Sequence, residues 1–273
     1  MKAHIFVGDT RFDAIAADDR GVAYGDGLFE TMRAHRGELP WWDAHWTRLQ
    51  AGARRLRIVL PDPKQVRVEA AHLLSGQDAV LKLIVTRGSS GRGYAPDADH
   101  TPTWILSAHP LPPAAPAEGI AVRWCETRLA LQPALAGMKH CNRLEQVLAR
   151  TEWLDPVASD RDAAEGLLRS MEGDVVCATA ANLFVLRDGV WITPRIDRCG
   201  VAGVCRAWAM EALTATQSRI AVTDVETAEA VFLCNAVRGI LPVARLGGCT
   251  WSAHPQVIAL RKQLALAHPA FIQ

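Results

Sequence analysis

Two hydrophobic periods alternate along this chain, and the switches between them mark its elements. Ala3 to Val7 is a short apolar run that predicts a strand, ended by a Gly8-Asp9 turn. Leu28 to Ala34 predicts a second strand, with His35-Arg36-Gly37 as the turn before Leu39-Pro40-Trp41. Asp43 stands where a helix N-cap is expected, and Ala44 to Arg57 then repeats its apolar residues at helical spacing. Pro63 to Leu74 predicts another helix. Asp78 to Arg87, dense in Val, Leu and Ile, predicts a strand that runs into the glycine-rich stretch Gly88 to Pro96, and Thr103 to Ala108 a further strand.

Four prolines fall within the seven residues Pro110 to Pro116, a stiff run that cannot pair as a central strand. It predicts a connector over 109–119 between an N-terminal α/β domain, 1–108, and a C-terminal domain, 120–273. In the second part, strands are expected at Ile120 to Cys125, Leu167 to Met171, Val175 to Cys177, Asn182 to Leu186, Val190 to Thr193, Ile220 to Val225, Ala230 to Cys234 and Leu241 to Val243. Asp188-Gly189 reads as a hairpin turn. Arg143 to Asp155 predicts a helix built on Leu144, Val147, Leu148 and Leu154. Cys199 to Leu213 leads through a glycine turn into a helix, and Pro255 to Leu266 closes the chain. Strands interspersed with helices predict an α+β or mixed α/β architecture in two domains.

Composition narrows the function class. With 273 residues, 49% hydrophobic and 22% charged, the chain reads as an ordinary globular protein. A formal net charge of +1 gives no reason to expect nucleic acid, and the basic run Arg48 to Arg57 carries Leu49, Ala53 and Leu56 at the spacing of a solvated helix face. The seven cysteines include no CxxC pair, and no Cys/His/Asp/Glu group has metal-ligand spacing. No signal-peptide pattern opens the chain and no 18-residue apolar run crosses it, so the expectation is a reducing cytoplasm with no membrane partner.

Lysine usage adds a chemical clue. Only Lys2, Lys64, Lys82, Lys139 and Lys262 interrupt 25 arginines among the 30 basic residues. A primary amine can lose its proton and serve as nucleophile or base, which a guanidinium does not. Lys139 precedes a helix-forming run, and Lys82 lies among Val80, Leu81, Leu83 and Ile84, so the residues alone leave both as candidates. The glycine-rich pieces at Gly21 to Gly27 and Gly88 to Gly93 match neither GxGxxG nor the P-loop. Gly200 to Val204 opens a helix and reads equally as a tight turn or as a helix N-terminus offering N–H groups to an anion. His45 and Arg48 share one helix face, with an arginine suited to a phosphate.

Several separated motifs then converge: YGDGLFET from Tyr24, HWTRL from His45, VTRGSSGRGYAP from Val85, GMKHCNRLEQVLAR from Gly137, ANLF from Ala181, CGVAGVCR from Cys199 and VFLCNAVRGILPV from Val231. In this order the chain resembles the fold-type IV pyridoxal-phosphate enzymes, the group of the D-amino-acid and branched-chain aminotransferases. Within it the resemblance is to the aminodeoxychorismate lyases, which convert 4-amino-4-deoxychorismate to 4-aminobenzoate and pyruvate in folate biosynthesis. The resemblance implies a homodimer with active sites between the two domains, and pyridoxal 5'-phosphate bound covalently by Lys139. It implies that Arg48 holds the cofactor phosphate with backbone N–H groups near Val204 and Cys205, that Thr31 shares in proton transfer, and that Asn182 belongs to the turn under the pyridine ring. Tyr24, Arg92, Tyr94 and Arg238 are implied as ligands of the substrate.

Three positions depart from the family pattern. Cys177 stands where the family usually has a glutamate beside the pyridine nitrogen, and Cys205 and Ala236 stand where relatives carry hydroxyls near the phosphate. Each lost hydroxyl is expected to weaken phosphate recognition by about 1–2 kcal/mol. Unless it ionises, a thiol supports a protonated pyridine ring far less than a carboxylate does, so Cys177 is expected to disfavour transamination or to compromise the cofactor chemistry altogether, unless a carboxylate such as Glu172 or Asp174 takes over that role. The alternatives are a D-amino-acid or branched-chain aminotransferase, and a non-catalytic homodimer of the same fold used for binding or structure.

Overall fold

The structure is a computed structural model that describes residues 2–155 and 160–272. Contacts between backbones divide it into two units, Met1–Pro112 with Met138–Asn142, and Pro113–Gly137 with Arg143–Gln273.

The first unit runs β1 (Lys2–Val7), β2 (Thr10–Phe12), α1 (Arg20–Tyr24), β3 (Gly27–Ala34), α2 (Trp42–Leu56), α3 (Pro63–Leu74), β4 (Ala79–Thr86) and β5 (Thr103–His109). Its strands form one antiparallel sheet in the order β2-β1-β5-β4-β3. Side chains alternate across a pleated strand. One face therefore carries Leu28, Met32, Leu83, Val85, Trp104, Leu106 and Phe6, all buried, with α2 and α3 packed on the sheet through residues such as Leu49, Ala53, Val66 and Leu73. The opposite face carries Phe29, Thr31, Lys82 and Ile84, which are half-buried.

Asp43 is not the N-cap of α2. That place belongs to Trp41, and Asp43 lies in the first turn, where a carboxylate complements the helix dipole. Strand β2 and helix α1, three and five residues long, are too short to carry a period and are absent from the sequence reading.

A long-range addition completes this sheet at its β3 edge. Phe29 N–H donates to Lys139 O at 2.9 Å, Cys141 N–H donates to Gly27 O at 2.9 Å, and Leu28 pairs with His140 as an antiparallel bridge. Met138–Asn142 thus groups with the first unit, whereas a division at 119/120 puts Lys139 in the second. Edge pairing of N–H and C=O groups, invisible in any local pattern, decides this.

The second unit runs β6 (Ile120–Leu129), α4 (Leu144–Thr151), β7 (Glu165–Ser170), β8 (Val175–Ala178), β9 (Asn182–Arg187), β10 (Val190–Pro194), α5 (Val204–Leu213), β11 (Thr216–Ser218), α6 (Val222–Glu226), β12 (Ala230–Asn235), β13 (Gly239–Leu246), β14 (Cys249–Thr250) and α7 (Pro255–Ala267). Its mixed sheet has the order β11-β10-β9-β12-β13-β6-β7-β8, with β14 paired to β13. The sheet curls, so that terminal β8 returns beside β9. Phe184 and Phe232 stack at 4.7 Å in its core, with Trp191 edge-on at 5.0 Å.

One expectation fails in this unit. Ile220 to Val225 is not a strand: Val222–Glu226 is helical, and the strand is Thr216–Ser218, parallel to β10. Asp224 stabilises the helix by accepting the Ala221 N–H at 2.8 Å, and Val225 is its buried residue. The helix predicted over Arg143 to Asp155 is present as α4 and the 3-10 turn Glu152–Leu154, and its apolar face is not a core face. Leu144, Val147, Leu148 and Leu154 are exposed, and only Ala149 of the helix is buried.

Candidate active site

In the first unit the residues gather around Phe29. The Lys139 amine lies 4.3 Å from the centre of its ring and the Lys82 amine 5.2 Å. Thr31 is on the same face of β3 two residues on, and is the cross-strand partner of Lys82. One face of the sheet edge therefore carries two amines and a hydroxyl around an aromatic ring. The two lysines that the sequence leaves in competition are neighbours.

Behind this face, Glu30 points to the α2 side and is buried, 1% exposed. Its carboxylate accepts from Arg48 Nε at 2.8 Å and from Arg48 Nη2, and it meets His45 Nδ1 at 2.6 Å. Burial alone would raise the Glu30 carboxyl, but Arg48 and His45 together hold it down at about 2. Desolvation keeps the His45 imidazole below its ordinary value, more than offsetting Glu30. His45 therefore donates through Nδ1, and its buried Nε2 has no hydrogen-bond partner. Glu30 escapes the sequence reading, although a carboxylate at an inward strand position is itself a signal of buried pairing.

The glycines of YGDG are explained by the lysine segment. A Cβ on Gly25 would lie 2.5 Å from Asn142 Oδ1, and one on Gly27 2.8 Å from Val85 O and 3.2 Å from Cys141 Sγ. Gly25 also takes φ +66° at the C-cap of α1, and Asn142 Nδ2 donates to its carbonyl at 3.1 Å. They make room for the strand that carries Lys139, a packing role in place of phosphate binding.

Tyr24 and Tyr94 come together, their rings 5.4 Å apart, and the Gly93 N–H donates to Tyr24 Oη at 3.2 Å. Arg92 and Tyr94 are exposed on the glycine-rich loop.

The second unit collects three turns. Asn182 is buried and donates through Nδ2 to Val201 O at 2.9 Å, bracing the turn that enters α5. A Cβ on Gly203 would lie 2.0 Å from Asn182 Oδ1, so this close approach requires glycine. The α5 N-terminus has no side-chain cap and no acid in its first turn, the arrangement that favours an anion. Asn235 donates to Ala180 O at 3.1 Å and accepts from the Val237 and Arg238 N–H groups, which folds the turn holding Ala236 and Arg238 beside Asn182's own turn. Arg206 is no anion ligand: it is buried on Thr193, Pro194 O and Gln217.

The cysteine departures are structural as well as chemical. Cys205 is buried, its thiol raised by desolvation and by hydrogen bonding with Cys234, so its side chain faces the core. Cys177 packs with Cys125, Leu129 and Leu168, and burial pushes its thiol up to about 12, so it is a neutral thiol at pH 7. Neither expected substitute carboxylate is available: Glu172 is engaged bidentately by Arg198 and Asp174 by Arg219 at 3.0 Å, all at the surface.

Residues 27–246 match the family model of class IV aminotransferases. This chain belongs to that family. Within the family it is 36% identical over 235 residues to an aminodeoxychorismate lyase of Vibrio harveyi, covering 83% of this chain and 85% of the relative. It is 29% identical over 250 residues to a putative branched-chain-amino-acid aminotransferase of Methanocaldococcus jannaschii, covering 88% and 85%. The crystal structure of a 4-amino-4-deoxychorismate lyase from Pseudomonas aeruginosa superposes with a TM-score of 0.86 at 41% identity, over 96% of this chain and 98% of that one.

The residues present fit pyridoxal phosphate. Taken separately, the first unit offers a primary amine over an aromatic ring and an arginine held by a buried carboxylate, and the second a helix N-terminus bare of competing caps.

Proposed function

We propose that this chain is a pyridoxal-phosphate-dependent lyase that converts 4-amino-4-deoxychorismate to 4-aminobenzoate and pyruvate. The observation that carries the reading is the placement of the Lys139 and Lys82 amines over Phe29 with Thr31 opposite Lys82. The similarity to lyases from two organisms supports the substrate.

When bound, the cofactor supplies a carbonyl carbon for the substrate amine and a conjugated ring that accepts the electron pair of the substrate C4–H bond. Lys139 would hold it through its amine, and that amine, once free, would take the proton from the substrate C4. The Thr31 hydroxyl, on the same face, relays protons to and from that amine. The C3–O bond breaks with its electron pair as the ring becomes aromatic, and the proton that Lys139 took from C4 passes to the methylene of the departing enolpyruvate, giving pyruvate and 4-aminobenzoate. In the first unit Arg48, oriented by Glu30, would hold a phosphate; in the second, the α5 N-terminus at Val204 and Cys205 would offer N–H groups to an anion. Asn182 keeps the α5 entry in shape. In the first unit Lys82 joins Tyr24, Arg92 and Tyr94 as a ligand for the substrate, a role its half-buried position supports, and Arg238 is the substrate ligand proposed in the second. A neutral Cys177 favours loss of pyruvate, which ring aromatisation drives, over transamination.

We propose further that the working form is a homodimer. Leu144 and Leu148 of α4 are 75% and 57% exposed, an apolar face that water does not favour. All seven cysteines are free thiols, which suits a reducing compartment, and no helix among the described residues is long and apolar enough to cross a membrane.

The test is an absorbance spectrum followed by pyruvate release from 4-amino-4-deoxychorismate with no amino acceptor added. Cofactor-loaded protein that releases no pyruvate would overturn the reading.

A further inference from the structure

We infer that Arg20 is a positioning residue that holds the 88–96 loop, and with it Arg92 and Tyr94, in the conformation that meets the substrate; this rests on the proposed lyase function. Arg20 is 4% exposed although the loop above it is exposed throughout residues 91–96. Its guanidinium donates to Gly93 O at 3.0 Å and Tyr94 O at 3.0 Å, with Ser90 Oγ at 3.4 Å. These are the carbonyls of two successive peptides, Gly93–Tyr94 and Tyr94–Ala95, directly after Arg92.

The other edge of the same guanidinium is fixed. Arg20 Nε donates to Asp26 Oδ2 at 2.9 Å. Asp26 is itself gripped by Arg87, whose Nε and Nη2 donate to it at 2.7 and 3.1 Å, while Arg87 also donates to Leu56 O and Arg57 O at the end of α2. A rigid element of the unit thus reaches the loop through Arg87, Asp26 and Arg20 in sequence. At the loop base, Arg20 N–H donates to Gly88 O at 2.9 Å and Asp19 bridges Ser89. Arg20 also lies over the Tyr24 ring at 5.0 Å, and Tyr24 accepts the Gly93 N–H.

Glycine and serine dominate 88–93, so this segment has little intrinsic preference for one conformation. Its order comes from a planar, five-donor cation that can bind a carboxylate and two carbonyls at once. Lysine keeps the charge but has no such fork.

The experiment compares wild-type holoenzyme with Arg20→Lys, Arg92→Ala and the double variant. In Arg20→Lys, KM for 4-amino-4-deoxychorismate is expected to rise about tenfold with kcat within about threefold of wild type. Trypsin is expected to cut after Arg92 about ten times faster. Because Arg20 acts through Arg92, the double variant is expected to exceed the KM of Arg92→Ala by less than about twofold, a coupling that a general loss of stability does not produce. Unchanged KM and cleavage rate in Arg20→Lys, where Arg92→Ala does raise KM, overturns the inference alone. Unchanged KM in Arg92→Ala overturns the loop's substrate role and the inference with it, while absence of pyruvate release by wild type refutes the lyase reading itself. Should Arg20→Lys fail to fold, Tyr24→Phe removes only the hydroxyl that accepts Gly93 N–H. Faster cutting after Arg92 then supports the strap, and an unchanged rate overturns it.

Discussion

The Lys139 amine lies 4.3 Å from the centre of the Phe29 ring, and the Lys139 carbonyl accepts the Phe29 backbone N–H at 2.9 Å. One residue of β3 therefore holds both the backbone and the side chain of the lysine, across 110 positions of sequence. Lys139→Ala is expected to lower kcat at least about a thousandfold and to abolish the borohydride-stable attachment of cofactor to the chain. Mass spectrometry after reduction checks the attachment, and a retained label elsewhere would refute Lys139 as the anchor.

Glu30 makes acid stability a property of its buried cluster with Arg48 and His45. Its carboxyl lies at about 2 when folded against an ordinary 4.5, so the folded state binds the proton less tightly than the unfolded chain. The resulting stabilisation, about 3 kcal/mol, is fully present above pH 4.5 and is lost as pH falls towards 2. His45, held below its ordinary value by desolvation, adds a loss of the same sign below about pH 6.5. Acid unfolding followed by tryptophan fluorescence should lose its steep pH 4.5 to 2 segment in Glu30→Gln. That variant should also be about 3–5 kcal/mol less stable at pH 7, with Arg48 left without its carboxylate. An unaltered acid profile would count against the pair.

Cys177 should behave as an inert thiol. Its burial and raised titration point predict no alkylation by iodoacetamide at pH 8 in folded protein, with full reaction after denaturation. Cys177→Glu is expected to increase half-transamination with an amino-acid donor about tenfold or more, at a cost in thermal stability from a carboxylate set among Leu129 and Leu168. Equal, negligible transamination in both proteins would sink the link between Cys177 and reaction choice.

Gly203→Ala places a methyl 2.0 Å from Asn182 Oδ1. The Asn182 to Val201 hydrogen bond must break or the turn must move. Cofactor affinity is expected to fall about tenfold and stability by about 1–3 kcal/mol. Titration of apoenzyme with pyridoxal phosphate measures the first and urea unfolding the second. Wild-type values for both would show that the close approach is dispensable.

If α4 contributes to a dimer, Leu148→Asp should convert the protein to monomers in sedimentation velocity runs while leaving its circular dichroism unchanged. A charge on this exposed position has little to disturb in an isolated chain. A dimer that survives the change would place the interface elsewhere.

Much of this protein is readable locally. The bounds of α3 coincide with the predicted Pro63 to Leu74, because Asp62 caps it, proline opens it and the apolar period runs between. The hairpin at Asp188-Gly189 follows from two residues that accept positive φ, 50° and 72° here. The roles of Lys139 and Arg48, by contrast, come from the family resemblance, since the residues alone leave Lys82 in competition. The misreadings have equally physical causes. Ile220, Val222 and Val225 are β-branched and suggest a strand by composition, but the three-residue spacing of Val222 and Val225 is helical, and the Asp224 hydrogen bond to Ala221 favours the helix. The apolar face of α4 is a true amphipathic signal, but periodicity reports a hydrophobic face without saying what covers it.

By itself the amino-acid sequence determined the elements whose signals lie within a few residues: caps, turns, alternation and the order of the family motifs. Only the tertiary structure decided that Lys139 pairs with the β3 edge, that Lys82 shares the Phe29 ring with it, that Glu30 holds Arg48, and that Cys177 is an uncharged thiol. Each of these depends on desolvation or on hydrogen bonds between groups far apart in the chain, and such energies exist only once the folded chain has brought the partners together and excluded water from between them.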